Sequence, residues 1–210
     1  MNIDDTKVIK QLEETVAKYS GAKYSSAISS ATNGTFLCLE LLKHKGIIKE
    51  GDTIEVPKRT YMSIPMCILN TRCKVSFRDE KWSGAYPIIH VESGKTIIWD
   101  SATRFNVGMF KNPLYVVSLQ YRKLVPVGRG GIVITNNKEY KDLIDKLRFN
   151  GRTCGISQTE DKYTIKGWNM YLTPEASARA LSIIQTLPEK NKDVAGYQDY
   201  PDLSKQEIFK

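Results

Sequence analysis

The stretch YVVSLQYRKLVPVGRGGIVIT, residues 115–135, sets two apolar runs on either side of a basic link that carries glycines. YVVSLQ and GIVIT are short, apolar and rich in β-branched residues, the pattern of strands buried inside a sheet. Lys123 lies in the link, five residues after Ser118. On a chain of net charge +8 it reads either as one more solvated charge or as a lysine held at the end of a buried strand for chemistry. A lysine's pKa falls readily on burial or beside other cations, here Arg122 and Arg129, which makes the amine a Schiff-base nucleophile.

Strands and helices alternate on either side of this stretch. KVIKQLEETVAKYSG (7–21) is an amphipathic helix with Val8, Leu12 and Val16 at helical spacing, stopped by Gly21. YSSAISSA (24–31) reads as a strand, and NGTFLCLELLKHKGI (33–47) as an apolar helix opening at Asn33-Gly34-Thr35. Strands follow at DTIEVP, KVSFRD, YPIIHV and TIIWD, with a helix at YMSIPMCILNT between the first two. Further helices are expected over NKEYKDLIDKLRFN and TPEASARALSIIQTLPEKNKDVAGYQDY. The second is capped by Thr173, begins with Pro174 and is interrupted near Pro188. Alternation of this kind predicts an α/β fold, a mostly parallel sheet flanked by helices. The link between YPIIHV and TIIWD is too short for a helical crossover, so those strands either have lost a connection or pair differently. Residues 1–190 are expected to form one compact domain, with 191–210 as a polar, loosely ordered tail.

Composition narrows the class. Hydrophobic residues at 41% and charged residues at 26% suit a soluble globular domain. No apolar run reaches membrane-span length and no signal-peptide core is visible, so the expectation is a cytoplasmic protein that does not enter a membrane. The four cysteines include no CxxC pair and there are two histidines, His44 and His90, so no metal site is expected. The basic residues are scattered, which argues for a solvated basic surface rather than a nucleic-acid face.

Four features fall at the carboxyl ends of strands, where ligands of open α/β sheets bind. Asn33-Gly34-Thr35 opens a helix whose free N–H groups suit an anion. Asp100 ends TIIWD and, after three apolar residues, needs a cationic or hydrogen-bonding partner. Lys123 offers the amine, and Tyr61, after DTIEVP, a ring that could stack on a planar ligand. Each has an ordinary structural explanation by itself. Together they match the needs of pyridoxal 5′-phosphate (PLP): a phosphate cradle, a stacking ring, an acid for the pyridine nitrogen and a lysine for the aldehyde.

In order and spacing these features resemble the DegT/StrS family of PLP-dependent sugar aminotransferases, which have the type I aminotransferase fold. NGTFLCLELL resembles the family's helix start that binds the cofactor phosphate, which implies this role for Gly34 and Thr35. GDTIEVPKRTYMS implies that Tyr61 stacks on the cofactor, and IIWDSA that Asp100 binds the pyridine nitrogen. SLQYRKLVPVGRGGIVIT resembles the family's SFHxxKxxxxGEGGxxxT, so Ser118 would contact phosphate and Lys123 would be the catalytic Schiff-base lysine. GWNMYLTPEASARAL implies that Asn169 reaches the cofactor phosphate of a neighbouring subunit, hence a homodimer with shared active sites. The resemblance further implies transfer of an amino group from an amino acid such as glutamate to a keto group, plausibly of a nucleotide-linked sugar. The chain departs from the family pattern at Gln120, Arg129, Thr103 and Tyr171, and it stops where the family's smaller C-terminal domain would develop. A degenerate, non-catalytic homologue acting as a binding protein is the alternative expectation.

Overall fold

A computed structural model describes residues 7–209. Seven strands form one sheet: β1 (Tyr24–Ile28), β2 (Thr53–Pro57), β3 (Lys74–Arg78), β4 (Tyr86–His90), β5 (Lys95–Asp100), β6 (Leu114–Ser118) and β7 (Gly131–Thr135), in the order β1-β7-β6-β5-β4-β2-β3. Pairs β2–β3 and β5–β6 are parallel and the other pairs are antiparallel. Two strands, β4 and β7, are thus reversed, and the remaining five run in one direction.

The two reversals explain the short connections. β4 and β5 form a hairpin through the 3-10 turn Val91–Ser93 and Gly94, whose φ of 64° closes it. The short link between YPIIHV and TIIWD therefore reflects direct antiparallel pairing. The link that carries Lys123 likewise joins antiparallel neighbours, β6 and β7, and folds back as a long hairpin connection.

Helices cover both faces. α2 (Ala31–His44), α3 (Ser63–Asn70) and α4 (Lys138–Leu147) pack on one side, and α1 (Lys7–Ser20) and α5 (Pro174–Ile184) on the other. Side chains alternate across a strand, so β6 sends Leu114 and Val116 into the first core and Tyr115 and Val117 into the second. β7 divides in the same way, Val133 against Ile132 and Ile134. Burial on both faces is why these strands read as continuous apolar runs.

Three segments differ from expectation. β1 ends at Ile28, and α2 begins at Ala31 rather than at Asn33, with Ser30 as its cap accepting the Asn33 N–H. α5 ends at Ile184, and the chain beyond it forms turns and 3-10 segments, since Pro188 cannot donate within a helix. Residues 193–209 are not a loose tail. Arg104 grips Asp193, Gly196 pairs with Ser83, Asp202 with Arg59, and Phe209 packs edge-on against Phe77.

Candidate active site

The carboxyl ends of β2, β5 and β6, the amino ends of β4 and β7, and the first turn of α2 come together at one edge of the sheet. They enclose a cleft of about 690 Å³. Asp100 ends β5 in this cleft and is 5% exposed. Its Oδ2 accepts the Tyr86 hydroxyl at 2.5 Å and its Oδ1 accepts the Ala102 N–H at 2.9 Å. Tyr86 is in turn bonded to Thr60. Burial raises the Asp100 carboxyl above its usual range, an effect opposed by these two donors and by the charge of Lys123.

Lys123 lines the same cleft, half-buried, with its backbone held by the Gln120 carbonyl. Burial lowers its ammonium below the usual lysine range, and Asp100 opposes that shift. Each group thus acts on the other's charge. Ser118, at the end of β6, and Tyr61, 57% exposed, also line the cleft.

Gly34 and Thr35 lie elsewhere. Gly34 faces the sheet, where an added Cβ would stand 3.2 Å from Val133 Cγ2 and 3.3 Å from Val116 Cγ1. Thr35 is fully buried and its hydroxyl has no hydrogen-bond partner. Because the helix starts earlier than expected, the residues facing the cleft are Ser30, Ala31, Thr32 and Asn33. The first N–H groups of a helix have no intrahelical acceptor, so the Ala31 and Thr32 amides, at the cleft wall, are candidate anion donors. The legible signal was Ser30 itself, a good N-cap ahead of the apolar run. Asn169 is exposed on a loop, pairs with Phe149 and does not line the cleft.

Sequence reading also missed three aromatic residues. Tyr86 hides in an apolar strand, Trp82 in a loop and Tyr200 beyond α5. Trp82 packs against Tyr86 at 4.7 Å and stacks on Tyr200 at 5.7 Å. Burial, with a contribution from Asp100, pushes the Tyr200 hydroxyl up to about 12. Of the departures, Gln120 and Arg129 line the cleft. Thr103 is buried and its hydroxyl reaches the Gly84 and Ala195 carbonyls. Tyr171 packs edge-on against Phe149.

Residues 2–86 match the DegT/DnrJ/EryC1/StrS aminotransferase family. The family resemblance seen in the sequence is borne out. The matched segment includes the α2 start and Tyr61 and ends at Tyr86, before Asp100 and Lys123. Similar solved structures include GDP-4-keto-6-deoxymannose-3-dehydratase (ColD), a mutant with bound GDP-perosamine. It has a TM-score of 0.71 and 18% identity, over 87% of this chain and 61% of that one. The E. coli GDP-4-keto-6-deoxy-D-mannose-3-dehydratase with bound hydrated PLP has a TM-score of 0.70 and 17% identity, over 87% and 61%. The aminotransferase TlmJ from Streptoalloteichus hindustanus has a TM-score of 0.70 and 18% identity, over 87% and 59%. The chain therefore has the type I aminotransferase fold and spans about three fifths of the length of these structures.

Proposed function

We propose that the cleft binds PLP and that the chain acts in aminotransfer, with Lys123 as the catalytic lysine. The observation that carries this reading is the buried Asp100 carboxylate facing Lys123 in one cleft with the open first turn of α2. Their chemistry fits the cofactor. Asp100, oriented by Tyr86 and Ala102, would pair with a protonated ring nitrogen and so recover the charge partner that burial denies it. The Ala31 and Thr32 amides and the Ser118 hydroxyl would hold the phosphate, in place of Gly34 and Thr35. Tyr61 would cover the ring. When bound, PLP supplies an electron sink that makes the α-proton of an amino acid acidic.

Lys123, with its lowered ammonium, is suited to carry that proton as a neutral amine. The amino donor is read as an amino acid such as glutamate, and the acceptor as a keto group of a nucleotide-linked sugar, in amino-sugar biosynthesis. The similarity to enzymes with GDP-sugar and PLP ligands supports this, as does the basic character of Arg122 and Arg129 at the cleft. Asn169, exposed and outside its own cleft, is read as a contact to a second subunit's cofactor in a homodimer. The PLP-binding domain would then extend beyond the boundary expected at residue 190, because Val194, Ala195 and Tyr200 line the cleft.

Titration with PLP is expected to give a visible absorption band, and borohydride a stable pyridoxyl adduct on Lys123 found by peptide mass mapping. Absence of both band and adduct, with the chain folded, eliminates this reading. An adduct in a chain that transfers no amino group would favour the non-catalytic alternative.

A further inference from the structure

At the end of the sheet opposite the cleft, three side chains from separate segments converge. His90 ends β4 and is 6% exposed. Its Nε2 lies 3.0 Å from Asp52 Oδ2 and 3.1 Å from Glu92 Oε2. Asp52 precedes β2, and Glu92 lies in the turn of the β4–β5 hairpin. Four residue steps along β4 separate His90 from Tyr86 at the cleft, about 13 Å.

The remaining atoms of these residues are held by groups outside the trio. Ser93 Oγ lies 2.9 Å from His90 Nδ1 and gives its own proton to the His90 carbonyl at 3.4 Å. With that bond made, the Ser93 oxygen can accept the Nδ1 proton, the tautomer that turns the Nε2 lone pair toward the two carboxylates. The Lys49 backbone N–H donates to Asp52 Oδ2, and the Thr53 N–H to Glu92 Oε1. These two backbone donors fix the orientation of both carboxyl groups. In that tautomer Nε2 and one oxygen of each carboxylate, all within 4.8 Å of one another, converge as three electron-pair donors. A second proton on the ring could reconcile them, and so could a cation.

The spacing admits a cation. Ligands about 2.0–2.2 Å from a tetrahedral Zn²⁺ stand about 3.3–3.6 Å apart, a few tenths of an ångström beyond the two separations from Nε2. An imidazole nitrogen with two carboxylate oxygens is a donor set for a first-row transition ion rather than for Ca²⁺ or Mg²⁺. The oriented Nδ1 and the backbone donors to both carboxylates are the outer contacts such sites use. Glu92, whose side chain is 44% exposed, leaves a fourth position open to water.

We propose that Asp52, His90 and Glu92 form a Zn²⁺-class binding site that ties the β4–β5 hairpin to the start of β2. The site is independent of the cofactor reading. Its two carboxylates and its histidine come from positions 52, 90 and 92, so sequence spacing conceals it.

The test is calorimetric titration of the full chain with Zn²⁺, beside thermal melts, in a Cys154→Ser background because Cys154 is the exposed thiol among the described residues. One Zn²⁺ per chain and a raised melting temperature are expected. Glu92→Gln and His90→Gln should each abolish both effects, and Ser93→Ala should weaken binding roughly 10-fold. Absence of binding, or binding that survives both Glu92→Gln and His90→Gln, overturns the proposal, the first result leaving an imidazolium clamp. If His90→Gln does not fold, the solvent-facing Glu92→Gln decides.

Discussion

Burial disfavours the charged forms of both Asp100 and Lys123, and each charge partly relieves the other. The cofactor-free protein therefore holds two groups whose titration is tied to folding. Because the Asp100 carboxyl is raised, the folded state binds more protons than the unfolded chain over the interval between the ordinary carboxylate range, near pH 4, and the raised value. The contribution of Asp100 to stability must fall as pH rises through that interval. Asp100→Asn removes this dependence and keeps the shape of the group. The amide oxygen can accept the Ala102 N–H and the NH₂ can face Tyr86, whose bond to Thr60 can run in either direction. Urea denaturation of the cofactor-free proteins should show the variant gaining relative to the parent from about pH 4 toward neutrality, while it loses PLP binding. A gap that stays flat with pH would refute the assignment of a raised Asp100. The charged pair was legible from single residues, a carboxylate and a lysine at strand ends. Tyr86, which orients the carboxylate, was not, because a tyrosine in a strand looks the same whether its hydroxyl is buried against an acid or exposed.

The position of α2 decides which backbone amides face the cleft. Ser30 caps the helix, and Gly131 of β7 lets its first turn approach the sheet. A Cβ at Gly131 would stand 2.4 Å from the Ala31 nitrogen, a collision with backbone that no rotamer change relieves. Gly131→Ala is expected to push the helix start away from β7, costing about 1–3 kcal/mol of stability by overpacking. PLP affinity should fall at least as steeply, because the displaced amides are the proposed phosphate donors. Chemical denaturation and PLP titration check the two effects. Unchanged PLP affinity with reduced stability would separate the helix start from the phosphate site. The error of a few residues in placing this helix start has a physical source. Ser29 to Thr35 are all small or polar residues compatible with a strand end, a turn or a first helical turn, and the contact with Gly131 selects among them.

The chain beyond α5 completes one side of the cleft. The Arg104 guanidinium bonds both carboxylate oxygens of Asp193, from Nε at 2.9 Å and from Nη2 at 2.6 Å, and Nη2 also reaches the Ser83 carbonyl. Arg59 donates to the Tyr200 carbonyl and lies over the Tyr197 ring. Val194, Ala195 and Tyr200 then line the cleft. The Arg104 side chain is about a third exposed, so solvent screens the ion pair and most of its value lies in geometry. Arg104→Ala is expected to cost about 1–2 kcal/mol and to open the backbone between residues 190 and 200 to limited proteolysis. An unchanged digestion pattern would show that the aromatic contacts of Tyr200 hold the wall unaided. Among the described residues no helix is long and apolar enough to cross a membrane.

The sequence by itself determined the α/β class, all seven strands, the family resemblance, and the presence of Asp100, Ser118, Lys123 and Tyr61 at or just beyond strand ends. These follow from local chemistry, namely periodicity, β-branched runs and polar residues that close apolar ones. The tertiary structure decided what depends on contacts between distant segments. It set the antiparallel pairing of β4 with β5, the helix start against Gly131, the return of residues 193–209 to the cleft, and the meeting of Asp52 with His90 and Glu92. A strand's direction and a side chain's partner depend on which segments are packed beside them, and the spacing of residues along a single chain does not record that.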